Sequence, residues 1–236
     1  MQSESLPESP LQAVIFDLDG LMFNTEELYQ EVGRQSLARR SKQLSQDLLD
    51  QMMGRKSDIA LQIMIDWHKL DLTVEKLAAE QAEIMFALLP DRLLPLPGLL
   101  SLLDALEAGG IPKAIATSSG RKFVTQVLGQ FQLEPRFSYV FTSEDITHGK
   151  PAPDVYLLAA QTLGFRPQQT MVLEDTQIGC QAATAAQAYT VAVPGEHSQN
   201  HNFADVQFVA DTLKDCRIYE ALGLSQPNDE KVNQIP

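Results

Sequence analysis

A chain of 236 residues with 18 basic and 31 acidic side chains carries a formal charge of −13 at neutral pH. Nucleic acids and anionic membrane surfaces are held by basic faces, so this balance argues against both as partners. A hydrophobic share of 44% is ample for a packed core, and no apolar run has the length to span a bilayer. Residues 1–10, MQSESLPESP, are polar, acidic and punctuated by proline, the pattern of a flexible tail rather than a secretory signal. Cys180 and Cys216 lack metal-ligand spacing and fall in helix-like stretches, so free buried thiols in a reducing cytoplasm are expected.

The first element is the apolar run Ala13, Val14, Ile15, Phe16, which stops at Asp17-Leu18-Asp19-Gly20. A short continuous apolar run with β-branched members, ended by turn chemistry, reads as a strand buried on both faces. Such strands belong to parallel sheets, whose ligand sites lie beyond the carboxyl ends. Asp17 and Asp19 fall at that end, and a persisting pleat points both carboxylates the same way. Two like charges so placed raise one pKa unless a cation intervenes, and a hard divalent ion with oxygen ligands suits them. Helix-capping or turn aspartates are the ordinary alternative on this stretch alone.

The pattern then becomes helical. Thr25-Glu26-Glu27 opens a helix with Leu28, Val32 and Leu37 on one face. Leu44, Leu48, Leu49, Met52 and Met53 mark a second, closed at Gly54. Ile59, Ile63 and Trp67 recur every four residues in a third. Thr73 caps a fourth that runs through Leu77 and Ile84 to Pro90. Four amphipathic helices with no strand predict a small bundle over residues 25–94, with Trp67 and the methionines in its core.

A proline-punctuated hinge, residues 93–98, restores the chain to alternating elements. Helices are expected over 99–108, from Gly120 to Gly129, and over 153–163, 177–188 and 212–222. Strands are expected over 113–117, 139–142, 171–173 and 189–193, with a sixth at Phe208-Val209. Strands alternating with helices imply crossover connections and a doubly wound, Rossmann-like parallel sheet covered on both faces. The expected organisation is an α/β core over 11–24 and 95–224, the all-α insertion as a cap, and a loose tail over 225–236.

Chemistry gathers at the strand ends: Asp17 and Asp19 after the first, Thr117, Ser118 and Ser119 after the second, Glu174 and Asp175 after the fourth. Between the third strand and its helix, Lys150 is held by a stiff Pro-Ala-Pro segment. Four acids, a hydroxyl cluster and one lysine at a common rim suit a phosphoryl group. Metal and ammonium would meet its oxygens, hydroxyl or amide donors would take the rest, and a carboxylate would attack phosphorus.

The stretches DLDGLMFNT, ATSSG, HGKPAPD and LEDTQIGCQAA, in this order, resemble the four motifs of the haloacid dehalogenase superfamily. The likeness is greatest to its phosphatase and β-phosphoglucomutase-like branch, which carries a helical cap after the first motif. It spans residue 12 to about residue 195. Within that branch TEELY, MGRK and ATSSG are similar to the pseudouridine 5′-phosphatase type. The resemblance implies Asp17 as nucleophile forming an aspartyl-phosphate, and Asp19 as the acid for the leaving oxygen and later the base for water. It implies Thr117 as a phosphoryl ligand and Lys150 as the charge that neutralises it. Asp17, the Asp19 carbonyl, Glu174 and Asp175 would hold Mg²⁺. Arg55 and Lys56 of the cap and Phe23 on the flap are candidate substrate contacts.

The chain departs from the family at Asn24, where an aspartate is usual; flap geometry rather than chemistry should feel this. An acid at Asp19 argues against dehalogenase and phosphonate-cleaving members. Tyr29 stands where a mutase of the β-phosphoglucomutase type has histidine, which favours hydrolysis over mutase chemistry. His197 and His201 are four apart but in a loop-like stretch, so a metal pair is not expected there, and His148 reads as a loop residue. The expected activity is a cytoplasmic, Mg²⁺-dependent phosphatase of a small phosphorylated metabolite. A sugar phosphomutase and a non-catalytic phosphometabolite-binding protein are the alternatives.

Overall fold

The computed structural model describes residues 10–52 and 57–226. Two compact units result, one of Thr25–Leu93 and one of the chain on either side of it. The latter holds six strands: β1 (Ala13–Phe16), β2 (Lys113–Ala116), β3 (Tyr139–Phe141), β4 (Thr170–Glu174), β5 (Tyr189–Ala192) and β6 (Phe208–Val209). All pair in parallel, in the order β3-β2-β1-β4-β5-β6. From β1 the chain winds outward first to one side and then to the other, and ligand sites of such sheets lie at the carboxyl ends beside that reversal. The register sets Phe16 level with Ile115 of β2 and Leu173 of β4, so Asp17 leaves the sheet between Ala116 and Glu174.

The helical unit comprises α1 (Thr25–Ala38), α2 (Gln46–Met52), α3 (Ser57–His68) and α4 (Val74–Arg92). Leu37, Leu48, Leu61, Met64, Ile65 and Leu77 form its core. The stripe expected on α3 is not the buried one: Ile59 and Trp67 are 46% and 42% exposed, whereas Leu61, Met64 and Ile65 are buried. Two apolar stripes share the helical spacing, and packing against Leu37, Leu48 and Leu77 selects the second. Thr73 caps α4 by accepting the Lys76 N–H. The helix continues through Pro90 to Arg92, and the Leu93 N–H still bonds the Leu89 carbonyl at 3.1 Å. A bidentate pair from Arg40 to Glu80, at 2.8 and 2.6 Å, ties the end of α1 to α4. The expected helix stop at Gly54 lies outside the described residues.

In the sheet-bearing unit the helices are α5 (Leu99–Ala108), α6 (Arg121–Gln130), α7 (Asp154–Leu163), α8 (Gln177–Ala185) and α9 (Cys216–Ala221). This is the expected parallel sheet with flanking helices. Every residue of β1, β2 and β4 is buried, and residues 13–16, 114–116 and 171–173 within them read as apolar runs. Complete burial of a Val, Ile or Phe side chain contributes roughly 1.5–3 kcal/mol. Small residues let α7 and α8 approach one face closely: Ala159, Ala160, Ala182 and Ala183 pack with Ile15 and Val172.

The two largest boundary differences from the sequence reading have local reasons. The eighth helix ends at Ala185, not 188, because Gln187 takes a left-handed conformation (φ 65°) and the Ala188 N–H bonds back to Ala183. The ninth starts at Cys216, not 212. There the Thr212 hydroxyl and Asp215 carboxylate accept backbone N–H groups of Lys214 and Arg217, competing with an earlier helical start. Cys216 is therefore at a helix start and exposed, not buried as expected, while Cys180 is buried on α8. Among the described residues no helix is long and apolar enough to cross a membrane.

Candidate active site

The carboxyl ends of β1, β2 and β4 bring four polar side chains into one buried knot. Asp17 continues β1, with its N–H bonded to the Leu173 carbonyl at 3.0 Å. The Lys150 ammonium, its side chain 4% exposed, contacts Asp17 Oδ1, Glu174 Oε1 at 2.7 Å and the Ala116 carbonyl at 3.1 Å. Its three donors are thus spent on three acceptors from three neighbouring strands. The Tyr156 ring on α7 lies beneath it, 4.9 Å from Nζ to the ring centroid, and the Tyr156 hydroxyl donates to Glu174 Oε1 at 2.9 Å.

Glu174 is the anchor of this knot. Its Oε2 accepts the N–H groups of Asp175 and Thr176 and the Thr176 hydroxyl at 2.9–3.0 Å, so its two oxygens receive five hydrogen bonds in all. The carboxylate lies over Gly179 in the first turn of α8, where a Cβ would stand 1.7 Å from Oε1. Only glycine leaves the space at that position.

Asp19 sits in the turn after β1. Gly20 adopts φ +73°, and the Gly20 N–H bonds to the Phe23 carbonyl at 3.1 Å. A Cβ on Gly20 would come within 2.4 Å of Asp175 Oδ2, so the turn approaches the end of β4 as closely as a bare backbone allows. Asp19 Oδ2 accepts the Ser119 hydroxyl at 2.5 Å and the Thr117 hydroxyl at 3.3 Å. Thr117 Oγ1 in turn accepts the Ser119 N–H at 3.0 Å, which fixes both hydroxyls relative to one another.

Electrostatics follow from this burial. Burial pushes the Asp17 carboxyl up to about 8, with the Lys150 charge opposing and Glu174 and Asp19 adding to the rise. Burial by itself would lower the Lys150 ammonium, but Asp17 and Glu174 more than reverse this and hold it well above its usual value. Glu174 is also resisted by burial, and the charge and hydrogen bond of Lys150 bring it below the usual carboxylate range.

A knot of three acids around one ammonium is therefore short of positive charge. Asp17, Glu174 and Asp175 are all buried and offer ligand oxygens within 4.8 Å of one another. An all-carboxylate donor set with a deficit of positive charge fits a hard divalent cation.

Other expected site residues fall elsewhere. Ser118 is exposed beside Thr117. Phe23 is fully buried and stacks on Phe131 at 5.4 Å between ring centroids, so packing rather than a ligand occupies its ring. Arg55 and Lys56 lie outside the described residues. Asn24 bonds Leu94 through both its backbone N–H (3.1 Å) and its side-chain oxygen (2.8 Å). His148 is exposed and pairs with Asp154 at 2.9 Å. His201 Nδ1 accepts the Gln177 N–H at 3.3 Å.

Sequence reasoning assigns no role to Tyr156 or Gly179, and it sets His197 in a loop with no metal pair expected. The first reads as one more apolar helix position and the second as one more small residue of α8. His197 Nε2 lies 2.7 Å from Asp175 Oδ2, and burial holds its imidazole down to about 4, hence neutral. Nothing in its spacing from Asp175, across an intervening helix and strand, announces that contact.

Residues 14–193 match the family model described as haloacid dehalogenase-like hydrolase. Fructose-1-phosphate phosphatase YqaB of Escherichia coli is 33% identical over 175 residues, 73% of this chain and 91% of that protein. A probable pseudouridine-5′-phosphatase of Drosophila melanogaster is 30% identical over 209 residues, 86% of this chain and 90% of that one. A crystal structure of a putative β-phosphoglucomutase from Thermotoga maritima superposes with a TM-score of 0.76 at 26% identity, covering 90% of this chain and 97% of the other.

Proposed function

Because the chain belongs to the haloacid dehalogenase-like hydrolase family, we propose that it is a Mg²⁺-dependent phosphatase of a small phosphorylated metabolite. A sugar phosphate or nucleotide-related monoester is the substrate class favoured by the names of its relatives. The observation that carries this reading is the Lys150 ammonium set between Asp17 and Glu174, with Asp175 beside them, at the mouth of the central strands.

In this reading the Asp17 carboxylate attacks phosphorus and the bond from phosphorus to the ester oxygen breaks. Asp19 gives its proton to the departing oxygen, which leaves as an alcohol. Asp19, now a carboxylate, takes a proton from water as that water attacks the aspartyl-phosphate, releasing inorganic phosphate and restoring Asp17. General acid–base help of this kind contributes roughly 10²–10⁴ in rate.

Thr117 and Ser119 donate to Asp19 in the resting site, and in this reading their hydroxyls would turn to the phosphoryl oxygens. Lys150 favours the ionised form of Asp17 against its burial, and its charge would offset negative charge as it develops on the transferring group. Asp17, Asp175 and the Asp19 carbonyl would hold Mg²⁺. Glu174, already accepting five hydrogen bonds, serves mainly to anchor Lys150 behind them. Bound there, the ion supplies the missing positive charge and polarises the phosphoryl group.

Incubation with a panel of phosphorylated sugars, polyols and nucleotide-related monoesters tests the reading. Inorganic phosphate should appear with Mg²⁺ from a subset of the panel, and EDTA should stop its release. Binding of these compounds without turnover would instead mark a phosphometabolite-binding protein. The structure named as a putative β-phosphoglucomutase raises a second reading, a sugar phosphomutase. Interconversion of two sugar phosphates that needs a bisphosphate primer and releases no phosphate would establish it.

A further inference from the structure

We propose that His197 is a positioning residue for the metal-binding carboxylate: its Nε2–H holds Asp175 in the orientation that receives Mg²⁺. The proposal rests on the reading of Asp175 as a magnesium ligand. An ionised carboxylate only accepts hydrogen bonds, so a ring nitrogen 2.7 Å from Asp175 Oδ2 carries the proton, and the tautomer is set by that contact. Asp175 is buried and the imidazole is largely so, with side chains 2% and 17% exposed.

The backbone around His197 is built to hold it still. Its turn, Glu196–Ser198, follows β5, the strand beside β4. The Val193 N–H bonds the Glu174 carbonyl at 2.7 Å, so the chain leaves the sheet tied to the strand that carries Asp175. Ser198, fully buried, closes the turn through its N–H to the Gly195 carbonyl at 3.1 Å. Further on, His201 and Asn202 bond Gln177, the first residue of α8.

The ring also lies against two glycines. A Cβ on Gly20 or on Gly195 would come within 2.9 Å of its Cε1. A ring confined in this way, donating one hydrogen bond, restrains rotation of the carboxylate it touches. Aiming a ligand before the ion arrives is the general role of groups that hydrogen-bond to metal-binding carboxylates, and their loss typically lowers metal affinity by about 10–100-fold.

Calorimetric titration of Mg²⁺ into the full chain and three variants decides the matter. His197→Leu keeps bulk but removes the donor, and should weaken Mg²⁺ binding by about 10–100-fold. Its kcat should return towards wild type at saturating Mg²⁺, with KM for the phosphoester little changed. His197→Gln, whose amide reaches as far as Nε2, should restore most of the affinity. Asp175→Asn should bind Mg²⁺ weakly or not at all.

Wild-type affinity in His197→Leu, with binding lost in Asp175→Asn, overturns the proposal alone. Equal impairment of the Leu and Gln variants, each folded by circular dichroism, also overturns it, since shape rather than the hydrogen bond would then matter. Unimpaired binding in Asp175→Asn overturns the ligand assignment itself, and the proposal with it.

Discussion

Asp17→Asn should lower kcat for phosphate release by about 10⁴–10⁶-fold, the scale seen when a covalent nucleophile is removed, while leaving the protein folded. The amide keeps the shape but cannot attack phosphorus. It also removes a carboxylate that the folded protein resists ionising. Burial raises Asp17 to about 8 in the metal-free site, above the ordinary value of about 4 in the unfolded chain.

The folded state therefore binds the extra proton between those limits. Its stability falls as pH rises from about 4 to about 8, and the cost then levels off. Asn has no such slope. Metal-free Asp17→Asn should accordingly melt no lower than wild type at pH 8, since Lys150 keeps Glu174 and the Ala116 carbonyl as partners. Thermal melts across this range, beside the rate measurement, separate loss of the nucleophile from loss of the fold.

Lys150→Met should damage both activity and stability. The ammonium is the buried positive charge between Asp17 and Glu174. A methionine of similar length fills the space but leaves two desolvated carboxylates facing each other. Removing one partner of a buried ion pair costs about 3–5 kcal/mol, roughly 6–20 °C in Tm for a chain of this size.

The sign of its pH dependence is fixed by the same geometry. Without the lysine both carboxyls shift upward, bind protons in the folded state, and regain stability as pH falls. The deficit in Tm should therefore be larger at pH 8 than at pH 5. Turnover should drop by about 10²–10³-fold even below the melting range, because the preorganised positive charge beside the attacking carboxylate is lost. An unchanged Tm at pH 8 would contradict the burial and pairing described above.

How much of this was legible in the sequence depended on whether the signal was local. β1, β2 and β4 announce themselves because burial on both faces leaves an unbroken apolar run, and the residues that follow each run are the polar ones at the sheet's mouth. Gly110 and Gly164, which end α5 and α7, are visible as glycines with positive φ. Gln187 does the same work at the end of α8 with a side chain that gives no sign of it.

On α3 two apolar stripes compete, and only the partners contributed by α1, α2 and α4 choose between them. The proximity of Asp17 and Glu174 follows from strand order once the sheet is parallel, whereas Lys150 reaches them from the loop after β3, two strands from β1. The contacts of Tyr156, Gly179 and His197 depend on where a helix face or a turn comes to rest against the sheet. No residue spacing records that. Phe23 shows the converse: a flap position suggests a ligand contact, but its ring is fully buried and stacked on Phe131.

Under the proposed mechanism Asp17 takes the phosphoryl group covalently. Wild-type enzyme quenched with acid during turnover, reduced with borohydride and digested should yield homoserine at position 17, because an acyl phosphate is reduced where a free carboxylate is not. The product should be missing when EDTA is present and in Asp17→Asn. Steady turnover with no reduced residue at position 17, or with the reduced residue at Asp19 or Asp175 instead, would contradict the account.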